Sequence, residues 1–299
     1  MFVIDNSVGD GTGFDLPFLD SDKLVEFVSE GLALPREAVA NAIQGFTVSK
    51  IKLETDRPMI WEPKHEHRAF RRGFFECQHS TGPHIMFSKA MAKECLAILS
   101  KSAVFGQLPE SWRGTDSKQA LSRLSNAAGK WFEHVVQENL GNLQIVGVSG
   151  ASNSIGIGAA RVAIPGNVGE LDFIGFSTVD SMILVVECKM SRDSTEPRLF
   201  RDDVSDFVRS KASYRDKFIK KVQWVRDNAD AVIAAMKSVP GVTMREIPSR
   251  IAAVLVTYVP SIAAPLILEF PCVSITEFMV AYELAGGYPY SIGVRNIRG

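Results

Sequence analysis

The chain has 299 residues, 46% hydrophobic and 22% charged, with a net charge of −1. That composition can supply the core of one large or two ordinary domains, and it excludes both a disordered polyelectrolyte and a polycation that binds through bulk charge. Four scattered cysteines, Cys77, Cys95, Cys188 and Cys272, make no zinc ribbon or dense disulfide framework and fit a reducing cytoplasm. The opening MFVIDNSVGDGTG lacks the basic and apolar regions of a secretory signal. The most apolar stretch, 251–270, is interrupted by Pro260, Pro265 and Glu269, which predicts a buried strand and loop rather than a membrane span.

Helices are expected from Ser21 and from Pro35, the latter placing proline in a first turn. The segment 46–86 mixes β-favouring runs with a polar, histidine-bearing stretch and reads as α+β. Ser88 is positioned to cap a helix reaching about Lys101, and PESWRGTDS (109–117) has the composition of a connector. We place a domain boundary there, giving 1–112 and 113–299. Beyond it Leu121, Leu124, Ala128, Trp131 and Val135 recur at helical spacing and predict an amphipathic helix ended by Gly141. Strands follow near 143–148, 161–164, 171–176 and 182–186, as a meander. Residues 203–236 are helical in composition with a break near Ser210, 251–259 is a buried strand, and 276–284 a final helix.

The chemistry lies in GELDFIG (169–175) and MILVVECK (182–189). Side chains alternate along a strand, so Asp172 shares a face with Glu170, and Glu187 with Lys189. A strand apolar through 182–186 is buried, and placing a carboxylate and an ammonium at its end costs several kcal/mol unless they are paired or hold a metal. Hydrolysis of a phosphodiester would use such groups. Asp172 and Glu187 offer hard oxygen ligands to Mg²⁺, with Mn²⁺ able to substitute, and the Cys188 backbone carbonyl offers a third. Lys189 would orient or deprotonate the attacking water, with burial lowering its pKa for the second role.

An acid in one strand and E-x-K in the next resembles the PD-(D/E)xK, or restriction-endonuclease-like, nuclease superfamily, over about residues 120–280. Leu171 stands where the name-giving proline would be. The resemblance implies an α/β fold, a restriction-endonuclease-like core with a central mixed sheet flanked by helices, beside an N-terminal α+β domain of unassigned role. It implies a metal-dependent nuclease, with DNA the foremost substrate, of restriction, defence or repair type. The family's preceding helix often donates another carboxylate, which implies Glu133 in GKWFEHVV. A nuclease-like module that binds or assembles without cutting is the alternative, and a homo-oligomer or a protein partner on the N-terminal domain stays open.

Between Lys189 and Arg226 eleven Lys or Arg face six Asp or Glu. That local field predicts phosphate contacts by Lys211, Arg215, Lys217, Lys220 and Lys221. The glycine-rich VSGASNSIGIG (148–158) is only superficially similar to a dehydrogenase nucleotide loop, because its glycines are too widely spaced. His65, His67, Cys77, His79 and His84 crowd one N-terminal stretch without the spacing of a zinc module. HRAFRRGFF (67–75) interleaves Arg68, Arg71 and Arg72 with phenylalanines, a mixture that suits nucleic acid and an ordinary amphipathic segment alike.

Overall fold

The computed structural model describes residues 18–50, 72–106, 108, 112, 114–192, 197–244 and 246–297. Two compact units divide at 126/127. The boundary therefore falls inside a helix, α4 (Thr115–Asn142), rather than in the connector before it.

In the N-terminal unit, strand β1 (Phe18–Asp20) leads into helices α1 (Ser21–Leu32) and α2 (Arg36–Phe46), then β2 (Thr47–Val48), the hairpin β3 (Phe74–His79) and β4 (Gly82–Phe87), and helix α3 (Lys89–Ala103). The sheet order is β1-β4-β3-β2. Helix α1 begins at Ser21, as expected, and Asp20 before it is the cap: its carboxylate accepts from the N–H groups of Asp22 and Lys23, both at 3.0 Å. Pro35 is the cap residue of α2, one position before the first turn. The α-helices bury Leu24, Val28, Val39 and Ile43 against Phe74, Ile85 and Phe87 of the hairpin.

His65, His67, Arg68 and Arg71 lie outside the described residues. Arg72 is buried and donates to the Gly45 carbonyl, so it is a structural cation rather than an exposed phosphate contact. The His84 ring stacks on Phe18 with centroids 4.5 Å apart. Among the described residues no group of three or more His, Cys, Asp or Glu is arranged to hold a metal ion.

The C-terminal unit holds the rest of α4, then β5 (Ile145–Ala151), the short pair β6 (Ser154–Ile155) and β7 (Val162–Ala163), β8 (Leu171–Ser177) and β9 (Met182–Lys189). Helix α5 (Pro197–Val204) runs into a π-turn (Ser205–Arg209), followed by α6 (Tyr214–Asp227) and α7 (Ala229–Lys237). Strand β10 (Arg250–Thr257), β11 (Cys272–Ser274), α8 (Ile275–Ala285) and β12 (Val294–Asn296) complete it. The sheet order is β11-β10-β9-β8-β5, with β12 also on β10. β5, β8 and β9 form an antiparallel meander, but β7, expected within it, pairs with β6 in a separate two-stranded sheet; β10 runs parallel to β9 and β11, so the larger sheet is mixed.

Both faces of this sheet are covered, which is why β9 and β10 read as continuous apolar runs. One face sets Ile174, Phe176, Ile183 and Val185 against Phe218 and Val225 of α6 and Val232 and Met236 of α7. The other sets Phe173, Leu184 and Val186 against Phe132, Val136 and Leu140 of α4 and Phe278 of α8. The buried stripe of α4 is thus one residue out of phase with the expected one. Trp131 is 51% exposed while its neighbour Phe132 is fully buried. The columns 131/135 and 132/136 are both apolar, and periodicity cannot choose between adjacent columns. The helix also passes Gly141 to end at Asn142.

The glycine-rich loop has a packing reason. Gly156 has φ 85° and a Cβ there would lie 2.8 Å from the Ala235 backbone, so glycine lets β6 approach α7 closely.

Candidate active site

The last paired residues at one end of the β8–β9 ladder are Phe173 and Val186. Continuing that register one step sets Asp172 opposite Glu187, on the face packed by α6. There a side chain takes over from the backbone ladder: the Cys188 N–H donates to Asp172 Oδ2 at 2.8 Å. The Lys189 carbonyl accepts from Tyr258 N–H at 3.1 Å on the β10 side. By strand alternation the Cys188 carbonyl faces the β8 edge, beside Asp172.

Asp172 is 7% exposed and Glu187 2%. Carboxylates buried this deeply need cations, and two lysines supply them. Lys189 Nζ lies 2.8 Å from Glu187 Oε1 and 3.7 Å from Asp172 Oδ2. Lys221 Nζ lies 2.5 Å from Glu187 Oε2 and 3.6 Å from Asp172 Oδ1. Each ammonium bridges both carboxylates, and the four charges sum to zero.

Burial alone would depress the Lys189 ammonium, but the charges of Glu187 and Asp172 and the hydrogen bond to Glu187 outweigh it and hold its pKa above the ordinary lysine range. The expected lowering is therefore reversed, and in this arrangement Lys189 is a charged group rather than a neutral base. Its Nζ stands 5.2 Å from the centre of the Tyr214 ring. Burial, with the nearby charges of Asp172 and Glu187, pushes the Cys188 thiol well above its usual range, so it stays protonated.

The remaining expected residues are placed differently. Glu133 sits on α4, which packs on the opposite face of the sheet, and pairs with Lys130 at 2.8 Å. Lys130 also reaches Glu170 at 2.7 Å, and these two carboxylates raise its pKa. Lys211, Lys217 and Lys220 are exposed, as a phosphate-tracking role requires. Arg215 is paired with Asp216 at 3.0 Å and Glu269 at 3.9 Å.

Lys221 is not on the exposed face with them. It is buried in the centre, on the side of α6 that carries Phe218 and Val225. The sequence holds the signal for this, since Phe218, Lys221 and Val225 recur at three- and four-residue spacing. Tyr214 was missed as well, with no motif to mark it.

Magnesium needs one or two protein carboxylates, with waters and substrate oxygens completing its shell. Asp172 and Glu187 fit that requirement, because they are hard oxygen donors that each ammonium already bridges, which marks a cation position between them. No family model, curated protein or solved structure matches the chain. Among the described residues no helix is long and apolar enough to cross a membrane.

Proposed function

We propose that residues 127–299 form a Mg²⁺-dependent nuclease domain of the PD-(D/E)xK type that hydrolyses phosphodiester bonds, DNA foremost. The observation that carries this reading is the pair of buried carboxylates facing each other where β8 and β9 part, bridged by lysine ammoniums. The order of elements supports it: a helix, three antiparallel strands, helices, then a strand parallel to the third.

Asp172 and Glu187 would hold the ion, with the Cys188 carbonyl beside them. Bound there, Mg²⁺ supplies positive charge to the transferring phosphate and lowers the pKa of water. Lys189 keeps its ammonium against Glu187, where it orients the attacking water and stabilises the charge that develops on phosphate. Tyr214 limits solvent on one side of that ammonium. Lys211, Lys217 and Lys220 contribute the sequence-independent attraction to phosphates.

One observation favours the second reading, a module that binds without cutting: the quartet is already neutral with no metal. The test is incubation of the purified chain with single- and double-stranded DNA and RNA in Mg²⁺ or EDTA. Metal-dependent cleavage of any of these supports the nuclease, whereas retention without cleavage in Mg²⁺ and Mn²⁺ supports the silent module.

A further inference from the structure

A lysine between two metal-binding carboxylates is at odds with a site that takes up a divalent ion readily. Lys221 Nζ contacts Glu187 Oε2 and Asp172 Oδ1, while Lys189 Nζ contacts the other oxygen of each. All four carboxylate oxygens therefore face an ammonium. The root of Lys221 is fixed, because Phe218 and Val225 on either side of it along α6 are fully buried in the core. Adding a divalent ion to this neutral cluster leaves a net charge of +2 in a buried place, which is costly unless an anion enters with it. The anion that a nuclease site receives is a substrate phosphate.

We infer that Lys221 is a resident counter-cation that makes divalent-ion binding at Asp172 and Glu187 depend on simultaneous binding of a nucleic-acid phosphate. This rests on the nuclease reading and goes beyond it, since such a reading is equally compatible with a site that holds its metal before substrate arrives. Lys221 is a positioning residue. It holds both carboxylates in place while no ion is bound, and it disfavours occupation by metal alone. Linkage makes the effect reciprocal, so the ion tightens nucleic-acid binding by the same factor as nucleic acid tightens binding of the ion.

The test is calorimetric titration of Ca²⁺ into the full chain, with and without whichever nucleic acid the wild type cleaves in Mg²⁺. Wild type should bind Ca²⁺ at least roughly tenfold tighter with nucleic acid than without it, the lower end of what one charge at this distance does to a neighbouring equilibrium. Lys221→Met keeps an unbranched apolar stem and removes the charge. It should bind Ca²⁺ alone about tenfold or more tighter than wild type, with the coupling to nucleic acid correspondingly reduced. Loss of fold would not raise metal affinity, and Lys221→Arg should behave as wild type.

Equal Ca²⁺ affinity in wild type with and without nucleic acid would overturn the inference, with no variant needed. So would Lys221→Met binding Ca²⁺ alone no tighter than wild type does. If wild type still cuts in Mg²⁺ under either outcome, the nuclease reading survives. If it cuts none of the four nucleic acids and binds no Ca²⁺, both fall together.

Discussion

Replacing Glu187 by Gln tests whether the charged centre is a balanced cluster or a pair of carboxylates held apart by repulsion. In the balanced account Glu187 provides the two shortest ion pairs, 2.8 Å to Lys189 and 2.5 Å to Lys221. Its loss leaves two ammoniums facing Asp172 alone, at 3.6 and 3.7 Å. Removing one partner of a buried pair costs about 3–5 kcal/mol. Lys189 is 23% exposed and so partly screened, and Gln keeps an acceptor oxygen, which lowers the expectation to about 2–3 kcal/mol. The assay is native-state hydrogen exchange of the β9 amides, whose slowest members should exchange roughly 30- to 150-fold faster. Asp172→Asn should cost less, because the ion pairs of Asp172 are longer and Asn still accepts from the Cys188 N–H. Unchanged or slower exchange in Glu187→Gln would refute the balanced cluster.

Three further outcomes follow from the geometry. Phe132→Ala should destabilise by about 3–5 kcal/mol and Trp131→Ala by under about 1 kcal/mol, measured by denaturant unfolding, because only the first ring is in the core. In the native chain half-buried Cys77 should react first with a thiol reagent at pH 8. Cys188 should react last, its thiol kept protonated by burial and the adjacent carboxylates, and equal rates would contradict the packing of β9. Neutralising exposed Lys217 and Lys220 to Gln should flatten the salt dependence of nucleic-acid affinity in Ca²⁺ by roughly 1.5 units of log–log slope. A parental slope would move the phosphate path elsewhere.

The elements of the C-terminal unit were legible because their signals are local. β9 and β10 are unbroken apolar runs, as a sheet covered on both faces demands, and Ser210 marks the break after the π-turn. Register was legible at the site too, since alternation alone puts Glu187 and Lys189 on one face. Packing choices between near-equal alternatives were not. Trp131 and Phe132 are both large and apolar, and only the sheet beneath α4 decides which is buried. Charge was misleading for Lys221, because a run of lysines suggests a solvated face, while the helical spacing of Phe218, Lys221 and Val225 pointed inward. The direction of the Lys189 shift turned on how closely Glu187 approaches it, a distance that alternation does not supply. Burial alone lowers it, and a carboxylate at 2.8 Å reverses the sign.

The central claim is that Asp172, Glu187 and Lys189 form a metal-dependent phosphodiesterase centre, and a single-turnover cleavage time course tests it most directly. Wild type and the variants Asp172→Ala, Glu187→Ala and Lys189→Ala are compared on single- and double-stranded DNA and RNA in Mg²⁺, Mn²⁺ and EDTA, with circular dichroism confirming the fold of each. Wild type should cut in Mg²⁺ or Mn²⁺ and not in EDTA, and each variant should lose on the order of 10²–10³ or more in rate. Absence of cutting by wild type in either metal, or cutting that survives in all three variants, would contradict it.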